Sequence, residues 1–283
     1  MLLEKNKAAF FYKGDIWIIK KYKNCWQNFL IDDNITKVIA EKAKNKNVIE
    51  VGPGLGSLTE YLAFNANKLL CYEIDKGMAK VITEKIINNN NNVKLIVGDF
   101  LKQDLKQDIK EYFNNENVEV FANLPYYITT AILIKILEEA PLVKSLTIMM
   151  QKEVADRLVG KPKTKDYNSL SVLLQYYTKI KKVLNVPSSS FYPAPKVESV
   201  VLNIEKVEPL KRADNEEYFL KFNRAIFMLR RKTLVNNLNA FFGYNKSEII
   251  ELLKKHNYKE TLRAEELNIN EIIELSNIFY KSF

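Results

Sequence analysis

Along its first two thirds the chain switches repeatedly between short apolar runs and patches of helical period. Residues 34–43 (NITKVIAEKA) place Ile35, Val38 and Ile39 on one helical face, behind an N-cap expected at Asp33 or Asn34. An apolar run from Val48 to Val51 then meets a glycine-rich turn and continues as a helix pattern with Leu55, Leu58, Tyr61 and Leu62, which reads as strand, turn, helix. Residues 68–75 (KLLCYEID), 93–100 (VKLIVGDF), 118–127 (VEVFANLPYY) and 145–151 (SLTIMMQ) predict further strands. Helix patterns follow at 76–87, in ITTAILIKILEEA and in EVADRLVG, and the five asparagines 88–92 predict a surface loop that buries nothing. Strands alternating with helices at this spacing predict an α/β fold, a mostly parallel sheet covered on both faces.

After the apolar alternation of 197–205 (VESVVLNIE) the pattern changes. Residues 206–283 hold no convincing strand and about three helical patterns, the first carrying Tyr218, Phe219, Phe222, Ile226 and Leu229 at helical spacing. A domain boundary is therefore expected near 206, at Pro209 and its charged neighbours. This gives a domain over 1–205, with residues 1–20 as an N-terminal extension, and a small all-helical domain over 206–283.

Composition narrows the function classes. The chain has 283 residues, 47% of them hydrophobic, which is enough to bury a core and excludes disordered and collagenous classes. The longest apolar stretch, AILIKIL at 131–137, is broken by Lys135 and falls short of a membrane span, so a soluble, cytoplasmic protein without membrane partners is expected. Cys25 and Cys71 are far apart and His256 is the single histidine, which leaves neither a disulfide framework nor a metal site to propose. The formal net charge of +9 favours a polyanionic partner. Residues 206–283 hold 14 basic and 11 acidic residues, so most of the excess lies outside them and the charge is not a basic tail.

The chemistry gathers at consecutive strand ends. The turn Glu50-Val51-Gly52-Pro53-Gly54-Leu55-Gly56 closes a strand and opens a helix, where glycines admit a ligand close to the backbone. With Ser57 after Gly56 it misses the dinucleotide fingerprint. Glu73, about 20 residues further on, stands where a carboxylate accepts both hydroxyls of a ribose. Asp99 ends the third strand, where an acid can accept from an adenine amino group. Each acid alone is read more readily as a cap or a surface charge. Their succession at the carboxyl ends of neighbouring strands points to one ligand site.

The fourth strand ends in Asn123-Leu124-Pro125-Tyr126. An exocyclic base amine is a weak nucleophile because its lone pair is delocalised into the ring. The Asn123 side-chain oxygen and the Leu124 carbonyl can accept its two hydrogens and hold the lone pair toward an incoming methyl group. Pro125 keeps Leu124 extended, and Tyr126 offers a ring on which an unstacked base can lie. Such a reaction gains mainly from alignment and requires no histidine.

With these residues in view, the chain resembles the S-adenosylmethionine-dependent rRNA adenine dimethyltransferases that act on two adjacent adenines near the 3′ end of small-subunit rRNA. The resemblance runs from Gln27 almost to the C-terminus. It includes Gln27-Asn28-Phe29-Leu30, EVGPGLGSLT, Glu73-Ile74-Asp75, Gly98-Asp99-Phe100, NLPYYI, QKEVADRL, SLSVLLQYY, FYPAPKVESVV, RRKTLVNNL and RAEEL. NLPY is shared with enzymes that methylate large-subunit rRNA, whereas FYPAPKVES and RRKTLVNNL resemble the small-subunit branch. The resemblance implies a Rossmann-like class I methyltransferase domain with a small C-terminal helical domain that binds RNA. It also implies that Asn28, Leu30, Gly52, Gly54, Glu73, Ile74, Asp99, Phe100 and Asn123 hold the cofactor, S-adenosylmethionine, with no metal. Tyr126 and Phe191 would sandwich the target adenine. Arg230, Arg231 and Lys232 would touch phosphates of rRNA in a partly assembled 30S particle, flanking one active face, with the enzyme acting as a monomer.

Two departures stand out. Cys25-Trp26 precedes Gln27 where the family usually has glycine, and Lys163, Thr164 and Asn168 replace a more usual Gly-Ser and Gly, so that loop is expected to differ. Three other readings share parts of the pattern: a large-subunit rRNA methyltransferase of the macrolide-resistance type, a mainly non-catalytic assembly factor, and a nicotinamide-dependent dehydrogenase.

Overall fold

The computed structural model describes residues 28–124 and 126–283, with Tyr126 and Tyr127 described by backbone alone. Trp26, Gln27 and Pro125, the N-terminal extension and the Tyr126 side chain, on each of which the sequence reading placed an expectation, lie outside this description.

The first compact unit comprises 28–152 and 182–203. Its centre is β2 (Asn47–Val51), every residue of which is buried, as a parallel strand covered on both faces requires. β2 pairs in parallel with β3 (Lys68–Glu73) on one side and β5 (Val118–Asn123) on the other. β4 (Val93–Val97) and β6 (Val143–Gln151) add outside these, again in parallel. The full strand order is β4-β3-β2-β5-β6-β9-β7, completed by β7 (Thr178–Val186) and β9 (Ser199–Lys206). The chain reverses its direction of build between β4 and β5, on either side of β2, and open α/β sheets bind ligands at that kind of point.

The intervening helices are α1 (Asp33–Glu41), α2 (Ser57–Asn65), α3 (Lys76–Lys85), α4 (Leu105–Phe113) and α5 (Tyr126–Glu139). Local chemistry sets their starts, with Asp75 capping α3 through Met78 N–H and Asp104 capping α4 through Lys106 and Gln107 N–H. A two-stranded ribbon, β1 (Phe29–Leu30) with β8 (Phe191–Tyr192), pairs antiparallel in the register Leu30 to Phe191.

The second unit comprises 153–181 and 204–283. The expected break at 206 thus marks the second crossing into this unit, while residues 153–181, which the sequence reading kept in the first domain, form a separate excursion. It contains α6 (Lys152–Leu158), α7 (Ser169–Tyr177), α8 (Glu216–Phe227), α9 (Leu234–Phe242), α10 (Lys246–Lys255) and α11 (Ile269–Ser282), α6 beginning one residue before the crossing. Phe219, Phe222, Ile226, Leu234, Leu238, Ile272 and Phe279 are fully buried in it. Each such side chain stabilises by roughly 1.5–3 kcal/mol. Asn223 and Asn237 are buried with them, and their amides donate to the Ser169 and Ile226 carbonyls.

Several expectations are corrected. Asp32, not Asp33 or Asn34, caps α1, because its carboxylate accepts from Asn34 and Ile35 N–H. The buried face of α1 is Thr36, Ile39 and Ala40, and Val38 is 52% exposed. The asparagine run does bury polar atoms: Asn92 donates to the carbonyls of Ala63 and Ala66 at 3.0 Å each, closing the end of α2. Leu229 falls beyond α8 and is largely exposed. β7 went unread, because Lys179, Lys181 and Lys182 interrupt its apolar pattern on the outermost position of the sheet order.

Candidate active site

The carboxyl ends of β2, β3, β4 and β5 open onto one cavity of about 350 Å³ in the first unit. Asn28, Leu30, Gly52, Gly54, Glu73, Ile74, Asp99, Phe100, Asn123, Leu124 and Phe191, residues singled out in the sequence, all line it.

The glycine turn owes its path to left-handed backbone. Gly52 and Gly54 have φ of +71° and +62°, which side chains rarely adopt. A Cβ at Gly52 would meet no neighbour within 4 Å, so it would project into open space beside the turn. The Gly54 N–H donates to Glu73 Oε2 at 3.0 Å, and Asp75 N–H donates to Glu73 Oε1 at 2.8 Å. Both oxygens of this buried carboxylate are thus fixed by backbone while keeping lone pairs for a ligand. Burial pushes the Glu73 pKa up, and the two N–H groups oppose that shift.

At the next strand end, Asp99 Oδ1 accepts from Leu101 N–H at 3.0 Å and so caps a single 3-10 turn. The cap reading and the ligand reading coexist there, because the same residue lines the cavity. Phe100 is buried against the edge of Tyr72, with centroids 5.2 Å apart. Asn123 is half-buried at the end of β5, and among the described residues its amide makes no hydrogen bond. Leu124 N–H donates to the Met149 carbonyl at 3.3 Å, which fixes the strand end.

The opposite wall is the β1–β8 ribbon. Phe29 packs with Leu55 and Met78, and its ring would lie 3.7 Å from a Cβ at Gly54. Ile31 N–H donates to the Ser190 carbonyl and Ser190 Oγ donates to Asp32 Oδ2, so the α1 cap also fastens the ribbon.

The sequence reading missed Glu50 as a wall residue. It lies mid-sheet at 2% exposure, in register with Cys71, whose thiol donates to Glu50 Oε2 at 3.7 Å. Burial, helped by the nearby Glu73 charge and opposed by the thiol's hydrogen bond, pushes its pKa up to about 8. Its signal was a carboxylate inside an otherwise apolar strand. Met149, Met150 and Gln151, at the end of β6, were likewise unread as wall residues. Among the described lining residues there are three acids, Glu50, Glu73 and Asp99, and no Lys, Arg or His.

In the second unit, Arg230, Arg231 and Lys232 are exposed on the turn between α8 and α9. Arg231 and Lys232 have no acidic partner among the described residues, whereas Arg230 Nη2 donates to the Lys165 carbonyl at 2.7 Å.

The family model for ribosomal RNA adenine dimethylase matches residues 19–281. The chain belongs to the ribosomal RNA adenine dimethylase family. Within it, the chain is 42% identical over 263 residues to the ribosomal RNA small subunit methyltransferase A of Streptococcus thermophilus, covering 90% of each chain. It is 44% identical over 261 residues to the protein of that name from Lactococcus lactis, covering 90% of this chain and 88% of that one. Among solved structures it is similar to a dimethyladenosine transferase from Plasmodium falciparum, with a TM-score of 0.69, 27% identity and coverage of 89% of this chain and 98% of that one. The 23S rRNA methyltransferase ErmE gives a TM-score of 0.60 at 26% identity, over 89% and 99% of the two chains. The α/β sheet followed by helices is what the strand and helix pattern predicts, and the methyltransferase domain is what the resemblance implies. Among the described residues, no helix is long and apolar enough to cross a membrane.

Proposed function

We propose that this protein dimethylates adenine N6 in small-subunit rRNA, using S-adenosylmethionine, at two adjacent adenines near the 3′ end in a partly assembled 30S particle. The observation that carries the cofactor assignment is the acid-only polarity of the cavity. The carboxyl groups of Glu73 and Asp99, with Glu50 below them able to ionise beside a cation, and no basic side chain among the described lining suit a cationic sulfonium and disfavour the pyrophosphate of a nicotinamide dinucleotide. The open space beside Gly52 and the doubly anchored Glu73 are a cradle of the right chemistry for a nucleoside with a charged tail.

In this reading Gly52, Gly54, Asn28 and Leu30 face the methionyl part. Glu73 accepts the ribose hydroxyls, and Asp99, with Phe100 and Ile74, takes the adenine. When bound, the cofactor supplies an electrophilic methyl group. Asn123 Oδ1 and the Leu124 carbonyl accept the two hydrogens of the target amine, and Tyr126 and Phe191 hold the flipped base, a stacking worth about 1–3 kcal/mol per base. The amine nitrogen would form the new bond to the methyl carbon as the sulfur–methyl bond breaks, the sulfur leaving as the neutral thioether of S-adenosylhomocysteine and one amine proton departing to solvent. In the second round the monomethylated amine has one hydrogen left, so one of these two acceptors takes it and the first methyl group occupies the place of the other hydrogen. Arg230, Arg231 and Lys232 supply phosphate contacts that position the particle without reading sequence.

Asn123→Ala is expected to reduce tritiated methyl transfer to under-methylated small subunits by at least 100-fold while cofactor affinity stays within a few-fold by calorimetry. Wild-type transfer by this variant would refute the amine-gripping role. Mapping the modified adenines after parallel reactions with small and large subunits tests the substrate itself.

A further inference from the structure

The loop between α6 and α7 holds three lysines, Lys161, Lys163 and Lys165, all exposed and all without an acidic partner among the described residues. Its shape is over-determined. Gly160 lies so close to the returning chain that a Cβ there would sit 2.6 Å from the Asp166 carbonyl oxygen. Arg157 pairs with Asp166 across the loop's base, and Asn168 Oδ1 caps α7 by accepting from Leu170 and Ser171 N–H.

Two further bonds fasten this loop to distant segments of the same unit. Lys163 N–H donates to the Glu265 carbonyl at 2.7 Å, and Arg230 donates to the Lys165 carbonyl while lying 4.0 Å from the Glu265 carboxylate. The turn carrying Arg230 is itself fixed. Asn237, buried, accepts from Leu229 N–H and donates to the carbonyls of Ile226 and Leu229. Five cations with no acidic partner among the described residues, Lys161, Lys163, Lys165, Arg231 and Lys232, therefore belong to two segments that Arg230 joins.

Lys163 is the informative residue. Its φ is +66°, a left-handed conformation that costs a side-chain-bearing residue and suits glycine or asparagine. The other non-glycine residues with positive φ among the described residues are all asparagines, so here alone the strained position carries a charge. Strain held at a solvent-exposed cation, in a loop tied at both sides, points to a function for the charge.

We propose that the Lys161–Lys165 loop is a second phosphate-binding element, contacting the backbone of rRNA beside Arg231 and Lys232, and that Arg230 is its positioning residue. The proposal rests on the rRNA substrate reading above. It assigns RNA contact to residues that the motif resemblance left out, and it gives Arg230 a structural task toward the loop.

The test is binding of the full chain to under-methylated small ribosomal subunits between 50 and 200 mM KCl. Each phosphate contact contributes about 0.7–0.9 to the slope of log affinity against log salt. The triple variant Lys161→Gln, Lys163→Gln, Lys165→Gln is expected to lower that slope by about 2. Lys163→Gly is expected to raise Tm while lowering the slope by about one contact, which separates the charge from the backbone strain. Arg230→Gln is expected to speed hydrogen exchange at the Lys163 amide, and its effect on the slope should be non-additive with that of the lysine triple, since an untied loop delivers fewer contacts. Additive effects with unchanged Lys163 exchange would leave Arg230 as a phosphate contact alone and overturn its positioning role. An unchanged slope in the lysine triple, or weaker binding without a change of slope as for a protein partner, would overturn the loop's role. Methyl transfer by the parent chain to the same particles keeps the two readings apart. Transfer with an unaltered triple-variant slope defeats only the loop proposal, and no transfer defeats the substrate reading on which it stands.

Discussion

Glu50 lines the floor of the strand-end cavity with its pKa pushed up to about 8, against an ordinary carboxylate value of 4.5, because burial penalises the charge. Near pH 7 it is therefore mostly protonated. A cationic ligand favours the ionised form, so binding S-adenosylmethionine should release protons from this site, and affinity should rise with pH up to about 8. S-adenosylhomocysteine, with a neutral sulfur, should release fewer. Calorimetry in buffers of different ionisation enthalpy measures this directly, and equal proton release by wild type and Glu50→Gln would refute the coupling. The sign for stability is the opposite. The folded state holds a proton that the unfolded chain loses above 4.5, so Glu50's contribution is full below 4.5, falls as pH rises, and is gone above about 8. At about 1.4 kcal/mol per unit, Glu50→Gln should be more stable than wild type at pH 8 by a few kcal/mol. A urea titration at pH 5 and pH 8 checks this. Residues whose position is set by strand ends, such as Glu73, Asp99 and Asn123, were legible in the sequence. Glu50 was legible only as part of a turn, since its effect depends on how deeply the neighbouring strands bury it.

At the scale of elements, the same contrast holds. Strands whose residues are buried on both faces announce themselves as apolar runs, which is why β2, β3, β5 and β6 were legible, while β4, of which only Val93 is buried, was legible because its sequence is apolar all the same. The β1–β8 ribbon was not, because two residues on each side carry no periodic pattern and their partners lie some 160 positions apart. Its attachment runs through Asp32, which caps α1 and also accepts from Ser190 Oγ at 3.1 Å. Asp32→Ala should cost about 1–2 kcal/mol in chemical denaturation. It should also weaken cofactor binding several-fold, since Asn28 and Leu30 depend on the ribbon. Asp32→Asn, which retains a capping oxygen, should recover most of the loss. A substitution that leaves cofactor affinity untouched would show that the ribbon is held elsewhere.

Across the whole molecule, the described lining of the strand-end cavity comes entirely from the first unit, while the tied basic segments belong entirely to the second. Hydrogen exchange should reflect this division. S-adenosylhomocysteine should slow exchange at 50–56, 73–75 and 98–101, and small-subunit rRNA at 160–166 and 228–232. Cofactor protection appearing first in 216–283 would contradict the assignment. The division itself was only half legible. A boundary near 206 follows from the loss of strand pattern, but the helix pattern of EVADRLVG reads like an ordinary crossover helix, α7 drew no helical reading, and only their tertiary partners place 153–181 with the second unit.

The lysines of β7 bear on a different property. An outermost strand leaves one row of backbone donors and acceptors open to pairing with another chain, and lysines are a common guard against it. Lys179, Lys181 and Lys182 are exposed along β7 and have no acidic partner among the described residues. Part of the +9 charge thus lies where like-charge repulsion opposes edge-to-edge pairing of copies. A charge-neutral β7, however well folded, would expose a template for edge-to-edge aggregation at the concentrations reached during overexpression.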